Sequence, residues 1–490
     1  MHYSKRVLMI AAASASAILL AACGSNGSSS SNGGSSSKTV VTMIQPGSGI
    51  QNETKLMAAA NKELQKKYPN IELKIKQIDW GDYGQKFNVM VTSGESYDLA
   101  FSQDYAANAS KGVFQDLTSL IKDNAKEAYD AIDPAYWQGV KVDGKIYGFP
   151  TNANVFSQQA FVFNPTFTKK YGIDVSKVDS YQSLEPVLKE FHEKNPNVVA
   201  FPLVKGARIS LKAMSYPLGN NFPFAIDASG KSTKVVNQYD TKEMMDDMKT
   251  LHKYYQAGYL PKDAATSSTT YNAADDTWFV QNQTVGPFDY GNNALKTAAN
   301  GKDIIVNKFT DAYKQTSDAQ MAVYVMSKTS NHKKEAMQVM NAINTDKKLE
   351  NILVWGVEGQ QWKFTNKANG QIETLKGYDA TKALGAWLTG NNRLLYTKSN
   401  ITPDDIATRD SSIKSAKDSA TLGFNPTTDD VKTELTNVSN VMSKYADILN
   451  TGTADPTTTV KQMDKELKAA GWDKVQKSLQ KQYDAFLASK

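Results

Sequence analysis

Hydrophobic and polar positions change period along the first hundred residues of the chain. An apolar run at 40–44 reads as a short buried strand, and apolar residues then recur at helical spacing over 56–68. Residues 71–76 alternate apolar and charged, as in a half-buried strand, and a helix at 82–91 precedes a third strand at 97–101. This order of elements predicts a parallel sheet with right-handed crossovers.

The same alternation continues to the end of the chain. Gly-punctuated residues 142–147 predict a hairpin, and 148–150 lead out of the first region. A second α/β region is predicted to contain helices at 184–194 and 243–257 and a strand at 284–288, and a strand at 321–326 and a helix at 331–343 follow. At the C-terminus a helical stripe predicts docking on the body, formed by Val475, Leu479, Tyr483 and Phe486.

The N-terminus has the pattern of a secretory signal. Lys5 and Arg6 precede the apolar stretch 7–22, which is too short to span a bilayer at roughly 20 residues. It ends in Leu-Ala-Ala-Cys-Gly at 20–24, which matches the lipobox of bacterial lipoproteins and makes Cys23 the lipidation site. The sequence therefore predicts a signal peptide over 1–22. The alternative is an ordinary signal peptide followed by a chance cysteine.

A low-complexity segment follows the cysteine. Residues 24–37 contain only Gly, Ser and Asn, so they cannot bury apolar surface and are predicted to behave as a coil. Fourteen such residues reach about 20 Å. Lipidated Cys23 and this tether, taken together as 23–38, predict a protein held at the outer face of the cytoplasmic membrane by its lipid anchor only.

Composition excludes several classes of protein. The 490 residues are 10% aromatic, which excludes a disordered chain, and the single cysteine excludes a disulfide scaffold and a cysteine zinc site. A formal net charge of +6, spread along the chain, is too mild to indicate nucleic acid.

Catalytic and cofactor motifs are missing from the sequence. It contains no HExxH, GxSxG or GxGxxG, and His192, His252 and His332 have the charged neighbours of surface histidines. Adjacent acids such as Asp246 and Asp247 fit solvated helix faces, and spacing alone cannot bring two carboxylates to the separation that glycoside hydrolysis needs. We therefore expect no enzyme, no metal and no cofactor, although an anchored glycan hydrolase stays an alternative.

Candidate ligand-binding residues follow from the predicted sheet, because ligands of open α/β sheets bind beyond the carboxyl ends of the strands. In the first region these positions hold amide, carboxylate, hydroxyl and aromatic groups, a mixture suited to carbohydrate. The candidates there are Gln45, Trp80, Asp82, Ser102, Asp104 and Tyr105. Further candidates lie in the crossover, after a later strand and in a glycine-flanked loop: Asn152, Asn154, Phe288, Tyr290, Trp355 and Glu358.

Structural roles compete with these assignments. Asp82 is better explained as the N-cap of the helix that follows, whereas packing and binding are equally good explanations of Trp80 and Asp104. The facing of Trp278, Trp362 and Trp387 cannot be determined from the pattern, and the core is the default position for a tryptophan.

Several sequence blocks together resemble the family 1 extracellular solute-binding proteins of ABC importers. They are Asp79-Trp80-Gly81-Asp82-Tyr83, Thr92-Ser93-Gly94-Glu95-Ser96-Tyr97-Asp98, Gly144-Lys145-Ile146-Tyr147-Gly148-Phe149-Pro150, Phe163-Asn164-Pro165, Tyr254-Tyr255-Gln256-Ala257-Gly258-Tyr259 and Gly356-Val357-Glu358-Gly359. The stretch from 423 to 471 is similar to the closing domain of the LplA-like oligosaccharide-binding subgroup.

The resemblance implies an α/β fold of the two-lobe, type II periplasmic-binding-protein kind, with a crossover hinge and a helical C-terminal segment. The first lobe would comprise 39–152 plus about 321–400, and the second 153–320 plus about 401–490. The implied function is capture of an oligosaccharide by a monomer that delivers it to permease subunits, without a cofactor. A peptide or polyol ligand in the same fold is an alternative.

Overall fold

Eighteen strands and seventeen α-helices make up the computed structural model, which describes residues 38–490. The signal peptide, Cys23 and the tether at 24–37 lie outside the described residues. The strands are β1 Thr39–Pro46, β2 Ile71–Ile78, β3 Leu99–Phe101, β4 Lys141–Val142, β5 Lys145–Ile146, β6 Gly148–Pro150, β7 Gln158–Phe163, β8 Met214–Ser215, β9 Phe224–Asp227, β10 Val236–Asn237, β11 Val280–Val285, β12 Ile305–Lys308, β13 Tyr313–Lys314, β14 Val323–Val325, β15 Trp362–Asn366, β16 Gln371–Thr374, β17 Thr397–Lys398 and β18 Lys417–Asp418.

The helices are α1 Glu53–Leu64, α2 Trp80–Ser93, α3 Tyr105–Ser110, α4 Thr118–Asn124, α5 Lys126–Ala131, α6 Pro134–Gly139, α7 Pro165–Tyr171, α8 Glu185–Lys194, α9 Lys242–Gln256, α10 Asn293–Ala298, α11 Thr316–Ala319, α12 Lys333–Thr345, α13 Lys347–Trp355, α14 Pro403–Ser415, α15 Lys432–Asn450, α16 Pro456–Ala469 and α17 Trp472–Ala488. Short 3₁₀ turns lie at Gln182–Leu184, Gln238–Asp240, Pro287–Asp289, Ala386–Leu388, Asn392–Leu394 and Asp429–Val431.

A five-stranded sheet with the order β2-β1-β3-β14-β6 organises the first lobe. Strand β1 pairs in parallel with β2 and β3, so the predicted parallel arrangement is confirmed. Strand β14 lies antiparallel between β3 and β6, which brings a distant part of the chain back into this sheet. The carboxyl ends of β1, β2 and β3 therefore share one edge, which is called the strand-end edge below.

The helix that follows β2 begins two residues earlier than the pattern predicts. Its N-cap is Asp79, whose carboxylate accepts a hydrogen bond of 2.9 Å from the Gly81 amide. Asp82 lies in the first turn and forms an exposed ion pair with Lys86, so the N-cap prediction for Asp82 is wrong. The earlier start makes Trp80 the first residue of α2.

The second lobe is built on an antiparallel sheet with the order β11-β7-β12 and a smaller one with the order β10-β9-β8. The strand predicted at 284–288 lies instead at Val280–Val285. Helices α15, α16 and α17 pack on this lobe, and Val475, Leu479 and Tyr483 are buried in its core, as the C-terminal stripe predicts.

Segments at 151–157, 309–322 and 416–423 pass side by side between the two hydrophobic cores. The backbones of Phe156 and Lys314 form an isolated antiparallel β-bridge, and β13 pairs in parallel with β18. Ile413 of α14 still belongs to the first core, whereas Phe424 belongs to the second. No helix within residues 38–490 is long and apolar enough to cross a bilayer.

Candidate functional site

Two stacked tryptophans stand at the strand-end edge. Trp80 opens α2 directly after β2 and is 50% exposed, and Trp387 lies in the 3₁₀ turn Ala386–Leu388 and is 39% exposed. Their ring centroids are 5.8 Å apart with planes inclined by 25°, and Phe101 supports Trp387 edge-on at 6.2 Å. A sugar ring can stack on aromatic faces that are partly exposed and held in place by packing against other rings.

The three tryptophans whose facing the sequence left undetermined do not behave alike. Trp278 and Trp362 are buried, so the default core position is confirmed for both. Trp387 is exposed, so that default is wrong for this residue, and the pair that it forms with Trp80 was missed.

The residues that follow β3 divide between surface and core. Ser102 is half-buried, and Asp104 is exposed with its backbone at φ +48°, in the left-handed region. Tyr105 turns into the first core, where its hydroxyl donates a hydrogen bond of 2.6 Å to the Val140 carbonyl. The structure thus places Ser102 and Asp104 at the strand-end edge and gives Tyr105 a packing role.

Gln45, the penultimate residue of β1, is fully buried beneath that edge. The Tyr324 hydroxyl lies 2.8 Å from its Oε1, and its Nε2 has no hydrogen-bond partner among the described residues. Gln45 therefore supports the floor of the site.

A buried acid lies under the segment 385–392, which carries Trp387. Glu350 is fully buried, and burial raises the pKa of its carboxyl well above the usual range. Gly390 packs directly against this group, since a Cβ at Gly390 would lie 2.5 Å from Oε2 of Glu350. The close contact between Glu350 and Gly390 thereby fixes the position of the segment that carries Trp387.

Asn152 and Asn154 lie in the first crossover, as predicted, and both are engaged. The Asn152 Nδ2 donates to Oδ1 of Asn391 over 2.9 Å, which ties the crossover to the Trp387 segment. The Oδ1 of Asn154 accepts a hydrogen bond of 3.0 Å from the Phe288 amide.

Phe288 and Tyr290 follow β11, and the side chain of Arg409 in α14 packs on both rings. The Arg409 guanidinium lies 5.1 Å from the Phe288 ring centroid and 5.5 Å from that of Tyr290, and its Nη1 donates to the Tyr290 hydroxyl over 2.8 Å. These contacts cover one face of each ring. The structure therefore brings Asn154, Phe288 and Tyr290 together.

Trp355 and Glu358 belong to a different neighbourhood. The Trp355 Nε1 donates to the Tyr396 carbonyl over 3.1 Å and its ring packs against Tyr378, whereas Glu358 is exposed beside Trp362 of β15. Their contacts are with the β15–β17 sheet.

A polar groove of about 270 Å³ opens at the start of β7, and the sequence reasoning missed it. Because β6 enters the first crossover and β7 leaves it, this groove lies at the hinge end of the second lobe. Its lining includes Ser157, Gln159, Ser210, Tyr216, Asn220 and Tyr313. Hydroxyl, amide and aromatic groups occur together in this groove, as they do at the strand-end edge.

One carboxyl of the hinge is distinctive. Asp318 lies in α11, within the crossover segment 309–322 that precedes β14, and accepts a hydrogen bond of 3.0 Å from the Ser157 hydroxyl of the first crossover. Burial raises its pKa to about 7. Nearby, Lys314 and Asp133 form an ion pair of 2.8 Å.

Within residues 38–490 no cluster of His, Cys, Asp and Glu could hold a metal ion.

Two α/β lobes joined by adjacent crossovers define the two-lobe class of solute-binding proteins. The chain belongs to the family of bacterial extracellular solute-binding proteins, whose match covers residues 59–356. A second match, to a domain of unknown function, DUF3502, covers residues 420–488. It is accordingly a binding protein and not an enzyme.

Relatives agree with this assignment. A carbohydrate ABC transporter substrate-binding protein of Streptococcus pneumoniae is 44% identical over 454 residues, 92% of each chain. The crystal structure of the N-glycan transport solute-binding protein NgtS from Streptococcus pneumoniae superposes with a TM-score of 0.88 at 44% identity, covering 92% of this chain and 99% of NgtS. A solute-binding protein from Bifidobacterium longum infantis, at 17% identity and a TM-score of 0.67, shares the fold.

Proposed function

We propose that this chain captures an oligosaccharide of mannose and N-acetylglucosamine between its lobes and delivers it to the permease of an ABC importer. The Trp80–Trp387 pair carries the proposal, because exposed stacked indoles at a strand-end edge suit the C–H faces of sugar rings. The similarity to NgtS supports the ligand class, since NgtS has been crystallised in complex with Man1GlcNAc and with Man5GlcNAc.

The conformation of this chain differs from that of NgtS with bound glycan. The TM-score is 0.77 against the Man1GlcNAc complex and 0.74 against the Man5GlcNAc complex, compared with 0.88 against another NgtS structure at nearly the same identity. A ligand that contacts both lobes favours the closed state by its differential affinity.

The location follows from the N-terminal sequence. Cleavage after Ala22 and lipidation of Cys23 would hold a monomer at the outer face of the cytoplasmic membrane, with residues 24–37 as tether. A relative named lipoprotein LipO, from Bacillus subtilis, is 27% identical over 216 residues. Metabolic labelling with radioactive palmitate tests the anchor: we expect label on the unmodified chain and none on C23A.

Isothermal titration calorimetry with Man1GlcNAc tests the ligand class. We expect saturable binding by the unmodified chain and a large loss of affinity in W80A, with V89A on the exposed face of the same helix as the control. Binding of a peptide or a polyol without any binding of glycan would contradict the proposal.

A further inference from the structure

Strand β11 has an unusual sequence for a strand at the edge of a sheet. Four consecutive polar residues, Gln281, Asn282, Gln283 and Thr284, stand between Val280 and Val285. A strand that covers a core on one face alternates apolar and polar residues, so this run leaves polar groups on both faces. The face toward residues 202–208 and 268–271 is not filled by packing, and a groove of about 690 Å³ lies there.

The groove is lined by neutral polar groups. The Gln159 Nε2 donates to the Thr284 hydroxyl over 2.8 Å, and the Gln283 Nε2 donates to the Gln281 Oε1 over 3.0 Å, so these amides are held in place but retain free donors and acceptors. No aspartate or glutamate of the described part of the chain lines it.

The one arginine in the lining is already neutralised. The Arg208 Nη1 lies 2.9 Å from Oδ1 of Asp447, and its Nε donates to the Asn221 Oδ1 over 3.3 Å. The guanidinium therefore positions Asn221 in the wall of the groove, and its charge is balanced from the far side by Asp447. Lys205 is exposed at the margin. These groups suit an uncharged ligand rich in hydroxyls.

The amide-lined groove meets the smaller groove at the hinge end of β7. Both are lined by Gln159, Ser210 and Asn220, so the two spaces join at these three residues. A saccharide that extends to this junction from the first lobe can continue into either groove. Only a branched saccharide can enter both grooves from that side.

We propose that the amide-lined groove is a second arm of the binding site and takes an uncharged branch of the captured oligosaccharide. This inference rests on the proposed function, since it names the shape of the saccharide that the same site accepts. Vicinal hydroxyls of the branch would pair with Gln283 and Asn221, while the Trp80–Trp387 pair would hold the portion that Man1GlcNAc and Man5GlcNAc share.

Calorimetric titration of the full chain with two glycans tests the proposal. Man1GlcNAc is the short probe, and Man5GlcNAc, a branched mannose oligosaccharide, is the long one. For the double variant N221A/Q283A we expect the Kd for Man5GlcNAc to rise about tenfold and the Kd for Man1GlcNAc to change less than twofold. Q462A, an exposed glutamine of α16, is the matched control and should alter neither Kd.

The outcomes separate the two proposals. An equal loss for both glycans, or no loss for either, overturns the second arm and leaves the proposed function standing. The same holds if the unmodified chain binds Man1GlcNAc but not Man5GlcNAc. If it binds neither glycan, the proposed function fails, and the branched ligand fails with it. Far-ultraviolet circular dichroism of the double variant, matched to the unmodified chain, excludes unfolding as the cause of a loss.

Discussion

The side chain of Asn152 donates a hydrogen bond of 2.9 Å to the side chain of Asn391, although 239 positions separate them in the chain. Both residues are buried, and their backbones also form an isolated parallel bridge. The first crossover between the lobes is thereby attached to the segment 385–392 that presents Trp387. Movement at the hinge and placement of an exposed aromatic face are mechanically linked through this pair.

Replacing Asn152 by alanine should destabilise the protein by about 1–3 kcal/mol, because the buried Oδ1 of Asn391 loses one of its two hydrogen-bond donors and keeps only the Arg393 amide. Urea unfolding followed by circular dichroism measures the change. N400A is the control, because Asn400 is an exposed asparagine that also uses its Nδ2 in a side-chain hydrogen bond. An equal change in free energy for both variants would contradict the role assigned to the buried pair.

The tryptophan pair predicts a graded loss of affinity. We expect W387A to weaken oligosaccharide binding by about 1–3 kcal/mol, because both the stacking surface and the support of Trp80 are lost. W387F should retain part of the affinity, since a smaller ring still packs on Phe101. Calorimetry with Man1GlcNAc measures both variants, and wild-type affinity in W387A would place the sugar elsewhere.

The hinge carboxyl predicts a pH dependence of stability. Burial raises the Asp318 pKa from 3.8 to about 7, so the folded state holds a proton that the unfolded state releases. The stabilisation is therefore complete below pH 3.8 and is lost as the pH rises to about 7, a change of up to roughly 4 kcal/mol at about 1.4 kcal/mol per unit.

Substitution by asparagine tests that dependence. D318N should remove this slope between pH 4 and pH 7 and should be more stable than the unmodified chain at pH 7.5, as measured by urea unfolding across the range. D123N, which alters an exposed carboxylate, should leave the slope in place. A slope that D318N does not change would assign the dependence to other groups.

Glu350 and Gly390 predict opposite effects of two small changes. E350Q keeps the shape of the protonated acid and should increase the free energy of unfolding at pH 8, because burial raises the pKa of Glu350 and an uncharged amide avoids the cost of burying a group that ionises in the unfolded chain. G390A should be strongly destabilising, because its Cβ would meet Oε2 at 2.5 Å and its φ is +47°. Thermal unfolding at pH 5 and pH 8 measures the stability of both variants. A loss of stability in E350Q at pH 8 would contradict the raised pKa of Glu350.

The sequence predicted the order of strands and helices in the first lobe because hydrophobic period is a local property. It could not place β14 between β3 and β6, since pairing between distant strands leaves no local pattern; only the family resemblance indicated a return near residue 321. The N-cap prediction for Asp82 is wrong because Asp79, three residues earlier, carries the same chemistry and caps α2 instead.

The candidate site was predicted in part for similar reasons. Trp80 directly follows a strand, and the carboxyl ends of parallel strands lie at one edge of the sheet. Trp387 lies in a 3₁₀ turn, where no hydrophobic period indicates whether its side chain is buried or exposed. Asp104 has a left-handed backbone conformation and precedes Tyr105, the first residue of α3. The ring of Tyr105 lies in the core, and the local sequence pattern does not indicate this. The second-lobe grooves did leave a signal, the polar run 281–284 inside a strand, which was overlooked.

Trp80 and Trp387 are the tryptophans most open to water in the part of the chain that the structure describes, and they lie against each other. Indole emission depends strongly on contact with water and with a neighbouring ring. A ligand that binds on this pair would change the intrinsic tryptophan fluorescence of the protein. Binding could therefore be followed by fluorescence of the unlabelled chain.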